Sequence, residues 1–371
     1  MQATESAALS LAQFRSRAHF PSTRKPGGRA PRRVITDALK TVYWTYWVSA
    51  AFNDEDYKAL ERRFAPHSAA CNKVDPVFTN LWLGYFLGRH RPTRILAAVE
   101  RAHPGANACL RSPLWPALTD RQLTRSQINR LLRQLEPEIR DVVWASSQDG
   151  TAGAKQATML ELRARLDALA AEILLLRLAH LDGQREAAFL WGRSVWRMMV
   201  LLGPALICGG IALALADLLE ERIMPMARRK GAHYGFPPGH YLQVVSKFVL
   251  AIRRVAKGSP ELKTDRQLLR IGQDLLGSKW GFGYFWAFNP VPLLDAGGLQ
   301  QADFSPAASV EFDLASKHLN LHRWGLNVHS LGGHRNSPPD AASSGEDLWA
   351  IDPNDPYVFL EPEPFRTRQF S

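Results

Sequence analysis

The chain has 371 residues, 46% of them hydrophobic and 22% charged, which excludes wholesale disorder and leaves room for two or three domains with a sizeable core. Its 46 Lys and Arg against 35 Asp and Glu give a net charge of +11 at pH 7 and a pI of 9.8. That balance points to anionic partners, nucleic acid or a lipid surface, without separating the two.

Cys71, Cys109 and Cys208 are widely spaced and form no CxxC pair, so neither a disulfide framework nor a thiolate zinc site is expected. The simplest reading is reduced thiols in a cytoplasmic N-terminal half.

The expected fold is mainly α: an N-terminal helical bundle, a long helix leading into a single transmembrane helix, and a small α+β C-terminal domain. Residues 1–35 read as a basic disordered arm. QFRSRAHFPSTRKPGGRAPRRV holds seven basic residues from Arg15 to Arg33 and no acid, and its Pro, Gly and Ser content opposes a regular helix. Arg24, Lys25, Arg29, Arg32 and Arg33 are its candidate contacts to phosphate or to an anionic leaflet. The arm lacks the apolar core of a secretory signal; its composition also fits a transit peptide, against which Glu5 counts.

Residues 36–145 read as a helical bundle. TDALKTVYWTYWVSAAF should bury Tyr43, Trp44, Trp47 and Phe52. Asn53 or Asp54 is a candidate cap for DEDYKALERRF, which Pro66 ends. RPTRILAAVERAH starts a further helix with Pro92 near its first turn. TDRQLTRSQINRLLRQLEPEIRDVVW contains an amphipathic helix with Leu131, Leu132 and Leu135 on its apolar side.

Within this region Tyr85, Gly88, Pro92 and Leu96 have an aromatic-x-x-Gly-x-x-x-Pro-x-x-x-Leu spacing. The segment resembles the closing helices of Cro/repressor-type helix-turn-helix domains. The resemblance implies that Gly88 ends a recognition helix, PVFTNLWLG, that Pro92 starts the next, and that Thr79 and Asn80 read base edges. Phe86 stands where that family carries an acid, and the implied recognition helix is mostly apolar. Arg89, Arg91 and Arg94 are candidate phosphate contacts that need no sequence specificity.

After a linker at 146–155, residues 155–222 read as a long helix plus the span. Met159, Leu162, Leu166, Leu169, Ile173, Leu176 and His180 alternate steps of three and four, a coiled-coil-like seam. An intramolecular bundle gives the same seam, and homo-oligomerisation through 159–180 is the other reading. MMVLLGPALICGGIALALA, residues 198–216, carries no charge. It reads as a membrane span or a buried core helix. The span is preferred for its length, near the ~30 Å hydrocarbon thickness, and for Trp191 and Trp196 beside it. The expected location is therefore a single-pass membrane protein with a cytoplasmic N-terminal region, the alternative being a soluble cytoplasmic one.

Residues 223–371 read as the α+β domain. YLQVVSKFVLAIRRVAKG and ELKTDRQLLRIGQDLLG form two helices, and alternation in SVEFDLAS, HLNLHRW and GLNVHSL gives a small antiparallel sheet. His318, His322, His329 and His334 crowd this sheet. His318, His322 and His329 are the candidate ligands for zinc or another divalent metal; otherwise no cofactor is expected. The sequence has no HExxH helix, no phosphate-binding P-loop and no GxSxG elbow. The expected function is a membrane-anchored binding or regulatory protein that engages nucleic acid or anionic lipid through its basic N-terminal region. The alternatives are a metal-dependent enzyme using the C-terminal histidines, and a soluble oligomeric assembly subunit.

Overall fold

The structure is a computed structural model and describes residues 3–18, 34–53, 56–65, 80–145, 152–228, 232–234, 240–257, 265–277, 287–290 and 292–294. The protein is mainly helical. The described residues divide into two compact units, one of 3–119 with Ala205–Leu218, the other of Asp120–Pro204 with 219–294.

The first unit opens with α1 (Ala3–Ala7) and α2 (Leu11–Arg17). Ser10 Oγ accepts from the Gln13 N–H at 3.3 Å, and Gln13 Oε1 accepts from the Ser10 N–H at 2.9 Å, a reciprocal capping box. Leu11 and Phe14 are buried. The arm expected over 1–35 is thus helical and packed over 3–18. Leu11 N–H donates to Asp217 Oδ2 at 2.7 Å and Ser6 Oγ to the Gly210 carbonyl at 2.9 Å, partners some two hundred positions along the chain that local composition does not reveal.

Next come α3 (Ile35–Phe52), α4 (Tyr57–Phe64), α5 (Leu81–Phe86), α6 (Leu96–Ala102), α7 (Ala108–Arg111) and α8 (Leu114–Ala117). Asn53 closes α3 in a left-handed conformation, φ 54°, a role short polar side chains tolerate. Asp56, not Asn53 or Asp54, caps α4, accepting from the Lys58 N–H at 3.0 Å. The core is aromatic. Trp44 stacks on Trp82 with centroids 5.7 Å apart, Tyr85 meets both rings edge-on, and Phe64 leans on Trp82. Of the four aromatics expected inside, Trp44 is fully buried, whereas Tyr43, Trp47 and Phe52 are partly covered.

The second unit contains α9 (Arg125–Arg133), α10 (Pro137–Trp144), α11 (Ala152–Glu161), α12 (Leu166–Leu181) and most of α13 (Arg185–Cys208). The long helix expected from 155 is two helices, broken between Glu161 and Leu166. Leu169, Ile173 and Leu176 of the expected seam are fully buried, whereas Met159 and His180 at its ends are exposed.

The uncharged run 198–216 is also not one helix. It begins within α13, breaks at Gly209 and Gly210, and resumes in α14 (Ala212–Arg222). Gly210 has φ 69°, and a Cβ there would meet the Tyr46 ring at 2.4 Å; a Cβ on Gly209 would meet the Tyr43 ring at 2.3 Å. Gly209 and Gly210 thus leave room for two tyrosines of the first unit. Among the described residues no helix is long and apolar enough to cross a membrane, which corrects the expected span. α13 has the length, 24 residues, but Arg185, Glu186, Arg193 and Arg197 charge its first half.

Beyond α14, a 3-10 turn (Met224–Met226) leads to β1 (Ala232–Tyr234), α15 (His240–Lys257), α16 (Asp265–Leu276) and β2 (Pro292–Leu294). Both C-terminal helices stand where the apolar periodicity put them. β1 and β2 pair antiparallel with His233 opposite Leu293, the one ladder among the described residues. The expected sheet of SVEFDLAS, HLNLHRW and GLNVHSL lies outside the described residues.

Candidate nucleic-acid interface

In the first unit, the loop from α5 to α6 carries the three described arginines singled out from the sequence. Gly88 ends α5 with φ 67°, and a Cβ there would press Val42 Cγ2 at 3.1 Å and Ala38 Cβ at 3.2 Å, so the loop leaves α5 hard against α3. Pro92 does not start α6, which begins at Leu96. Arg89 is half-buried and its Nε donates to the Arg17 carbonyl at 3.1 Å, so it braces the loop on α2. Arg91 forms an ion pair with Asp37 in the first turn of α3. Arg94 is exposed and forms no ion pair among the described residues.

The face of α5 named by the helix-turn-helix resemblance is turned inward: Trp82, Tyr85 and Phe86 are buried. Asn80 precedes it with φ 54°, and Thr79 lies outside the described residues. Burial pushes the Tyr85 phenol up to about 12. Arg24, Lys25, Arg29, Arg32 and Arg33 lie outside the described residues, as do His318, His322 and His329. Among the described residues no group of three or more His, Cys, Asp or Glu is placed to hold a metal ion.

The acids of the first unit are largely engaged by the unit itself. Asp37 holds Arg91 and Lys40, and Asp217 accepts from the Leu11 N–H. Glu100 accepts from the Gly105 and Asn107 N–H groups at 2.8 and 2.9 Å, and these backbone donors hold its carboxyl below the usual range. Glu61 is fully buried; Glu5 and the α4 cap Asp56 are the exposed acids among the described residues. Arg62, Arg94 and Arg101, by contrast, are exposed and form no ion pair among the described residues, while Arg111 is exposed beside Glu100. Among the described residues the exposed charge of this unit is therefore mostly positive.

The second unit carries two features the sequence reading passed over. One is internal. Arg197 Nη2 stands 3.0 Å from Glu161 Oε2 as an ion pair, not aligned as a hydrogen bond, and Ser194 Oγ donates to Glu172 Oε1 at 2.7 Å. Glu161 and Glu172 are 2% and 0% exposed. Burial raises both carboxyls, Glu172 well above the usual range, and lowers Arg197. Desolvation outweighs the attraction within the pair. Glu172 Oε2 and Arg197 Nε have no hydrogen-bond partner. The signal available in sequence was Glu172 within the mostly apolar stretch ALAAEILLL of α12.

The other is the outer side of α9, where exposed Ser126, Arg130 and Arg133 share one stripe with half-buried Asn129. The available signal was the polar i, i+3, i+4, i+7 pattern opposite the leucines, after a T-x-x-Q capping box.

Comparison with known proteins finds no matching family model, no similar curated protein and no similar solved structure.

Proposed function

We propose that the protein is a nucleic-acid-binding protein that holds polyanionic backbone on the arginine-rich surface of its first unit. The observation that carries the reading is the asymmetry of engagement. The described acids of that unit are mostly spent on its own backbone and on Arg91, whereas Arg62, Arg94 and Arg101 face solvent without a counter-ion among the described residues. Arg24, Lys25, Arg29, Arg32 and Arg33 extend the same excess of positive charge in the sequence, with no acid among them. Phosphate neutralisation releases condensed counterions, so this composition drives binding of weak sequence preference.

The test is titration of the full-length chain into labelled duplex DNA, duplex RNA and phosphatidylserine vesicles over a salt series. Nucleic-acid affinity should fall with a log–log slope of about −0.9 per phosphate neutralised. Arg94→Gln with Arg101→Gln and Arg111→Gln should make the slope shallower while leaving far-UV circular dichroism unchanged. Absence of binding at low salt, or binding indifferent to salt, defeats the reading. Preference for the vesicles over both nucleic acids replaces it with a lipid-surface role.

A further inference from the structure

α9 has two stripes, each at i, i+3, i+4, i+7. Ile128, Leu131 and Leu132, followed by Leu135, are all at most 6% exposed and anchor the helix in its unit. Ser126, Asn129, Arg130 and Arg133 form the opposite stripe, with Ser126, Arg130 and Arg133 exposed and Asn129 half-buried at its edge. Thr124 and Gln127 close a capping box, Thr124 Oγ1 accepting from the Gln127 N–H at 3.3 Å and Gln127 Oε1 from the Thr124 N–H at 2.9 Å. Arg125 is tied to Asp182 at the end of α12. The outer stripe thus stands on a short, rigidly seated helix.

Its chemistry is uniform. Residues 121–135 contain four arginines and no acid. The nearest following acid, Glu136, is engaged by Arg165 Nη1 at 3.1 Å. Arg130 and Arg133 form no ion pair or hydrogen bond through their guanidinium groups among the described residues. Arginine, asparagine and serine are side chains whose donor and acceptor patterns pair with base edges: arginine bidentate to guanine, asparagine bidentate to adenine.

We propose that the exposed face of α9 inserts into the major groove of duplex DNA, Arg130 and Arg133 contacting guanine edges and Asn129 an adenine edge. This rests on the nucleic-acid reading above and adds the element and the groove. An α-helix about 10–12 Å across fits a B-form major groove about 12 Å wide. The stripe from Ser126 to Arg133 rises roughly 10 Å, the length of about three base pairs. Duplex RNA is disfavoured because its deep, narrow major groove does not admit a helix. A lipid surface is disfavoured because an interfacial helix inserts a free apolar face, and the apolar face of α9 is already consumed by the core.

The experiment selects sites from a random duplex DNA pool with the full-length chain, then measures affinity for the selected and a scrambled duplex by anisotropy. Wild type should prefer the selected duplex. Arg130→Lys with Arg133→Lys keeps the charge and loses the bidentate fork, so it should retain affinity for the scrambled duplex. That variant should lose roughly tenfold per arginine on the selected one. Arg130→Gln with Arg133→Gln should weaken both, with unchanged circular dichroism, since neither side chain is part of the core. A selected site whose affinity is indifferent to both double variants overturns the α9 assignment and leaves the basic-surface reading standing. Selection of no preferred site overturns α9 alone in the same way. Stronger binding to duplex RNA or phosphatidylserine vesicles, lost in the Gln variant, overturns duplex DNA as the occupant. No binding by wild type to any nucleic acid at low salt overturns both readings.

Discussion

The two units fill their interiors with different chemistry. The first is dominated by rings: Trp44, Trp82, Tyr85 and Phe64 contact one another at stacked, tilted and edge-on angles. Such packing gains from area removed from water and from ring geometry, and neither depends on pH. The second unit runs an ionic group through its helices, with Glu161 against Arg197 and Ser194 against Glu172. Charges taken from water there cost free energy that their mutual attraction does not fully return. The aromatic core stabilises as it stands. The ionic group is tolerated only as a complete set, and it ties stability to pH.

Breaking either core with a single change should produce the largest effects, and rescue should separate the two. Trp82→Ala should cost about 3–5 kcal/mol through lost burial and the cavity left behind. Glu161→Ala should cost a similar amount, about 3–5 kcal/mol, because Arg197 is left buried without its counter-charge. Adding Arg197→Met to Glu161→Leu should restore most of that stability or exceed it, since apolar replacement of a buried pair is often neutral or favourable. No second-site change in Trp44 should restore Trp82→Ala. Urea midpoints at constant m-value measure all four. Additive losses in the Glu161/Arg197 double variant would show that the ionic group is a net stabiliser, like the rings.

Backbone positions sharpen the same contrast at a smaller scale. Gly210 and Gly183 both have φ 69°, but a Cβ on Gly210 meets the Tyr46 ring and Ser6, whereas nothing lies within 4 Å of one on Gly183. Gly183→Ala should therefore cost only the left-handed strain, about 1 kcal/mol. Gly210→Ala should cost more, roughly 1–3 kcal/mol, because strain and collision act together. Equal melting temperatures for the two variants would show that Tyr46 yields freely.

The helices that were legible in sequence are those whose own pattern fixes both face and end. α9 was visible through Leu131, Leu132 and Leu135, and α15 and α16 through apolar periodicity. What misled was composition taken without its partners. The arginines of α2 looked like part of an open arm because Asp217 and Gly210, which fix α1 and α2, lie far along the chain. The uncharged run looked continuous because nothing local shows that Tyr43 and Tyr46 need the space of Gly209 and Gly210. The same holds for the candidate interface. Arg89 and Arg91 read as free cations, yet the Arg17 carbonyl and Asp37 hold them, and Arg94 alone of the three faces solvent without a partner among the described residues.

A last comparison isolates the pH dependence of the ionic group. Burial first, and then the neighbouring Glu161, raise the Glu172 carboxyl well above the usual range. In the unfolded chain the same carboxyl ionises near ~4.3. At pH below that value both states hold the proton, and the stabilisation of the neutral form is fully present. As pH rises through the window up to the folded value, the native state keeps a proton that the unfolded chain has released. Stability must then fall, by at most about 1.4 kcal/mol per pH unit for one proton. Glu161 shifts in the same direction and adds a slope of the same sign. Glu172→Gln keeps the shape of the protonated acid, and its amide can still accept from Ser194 Oγ, but it cannot ionise. The variant should match wild type near pH 4 and become progressively the more stable of the two toward pH 8. Melting temperatures recorded across that range decide it. Parallel curves would mean that Glu172 holds its proton in neither state over the window, and that the slope belongs to Glu161 and Arg197.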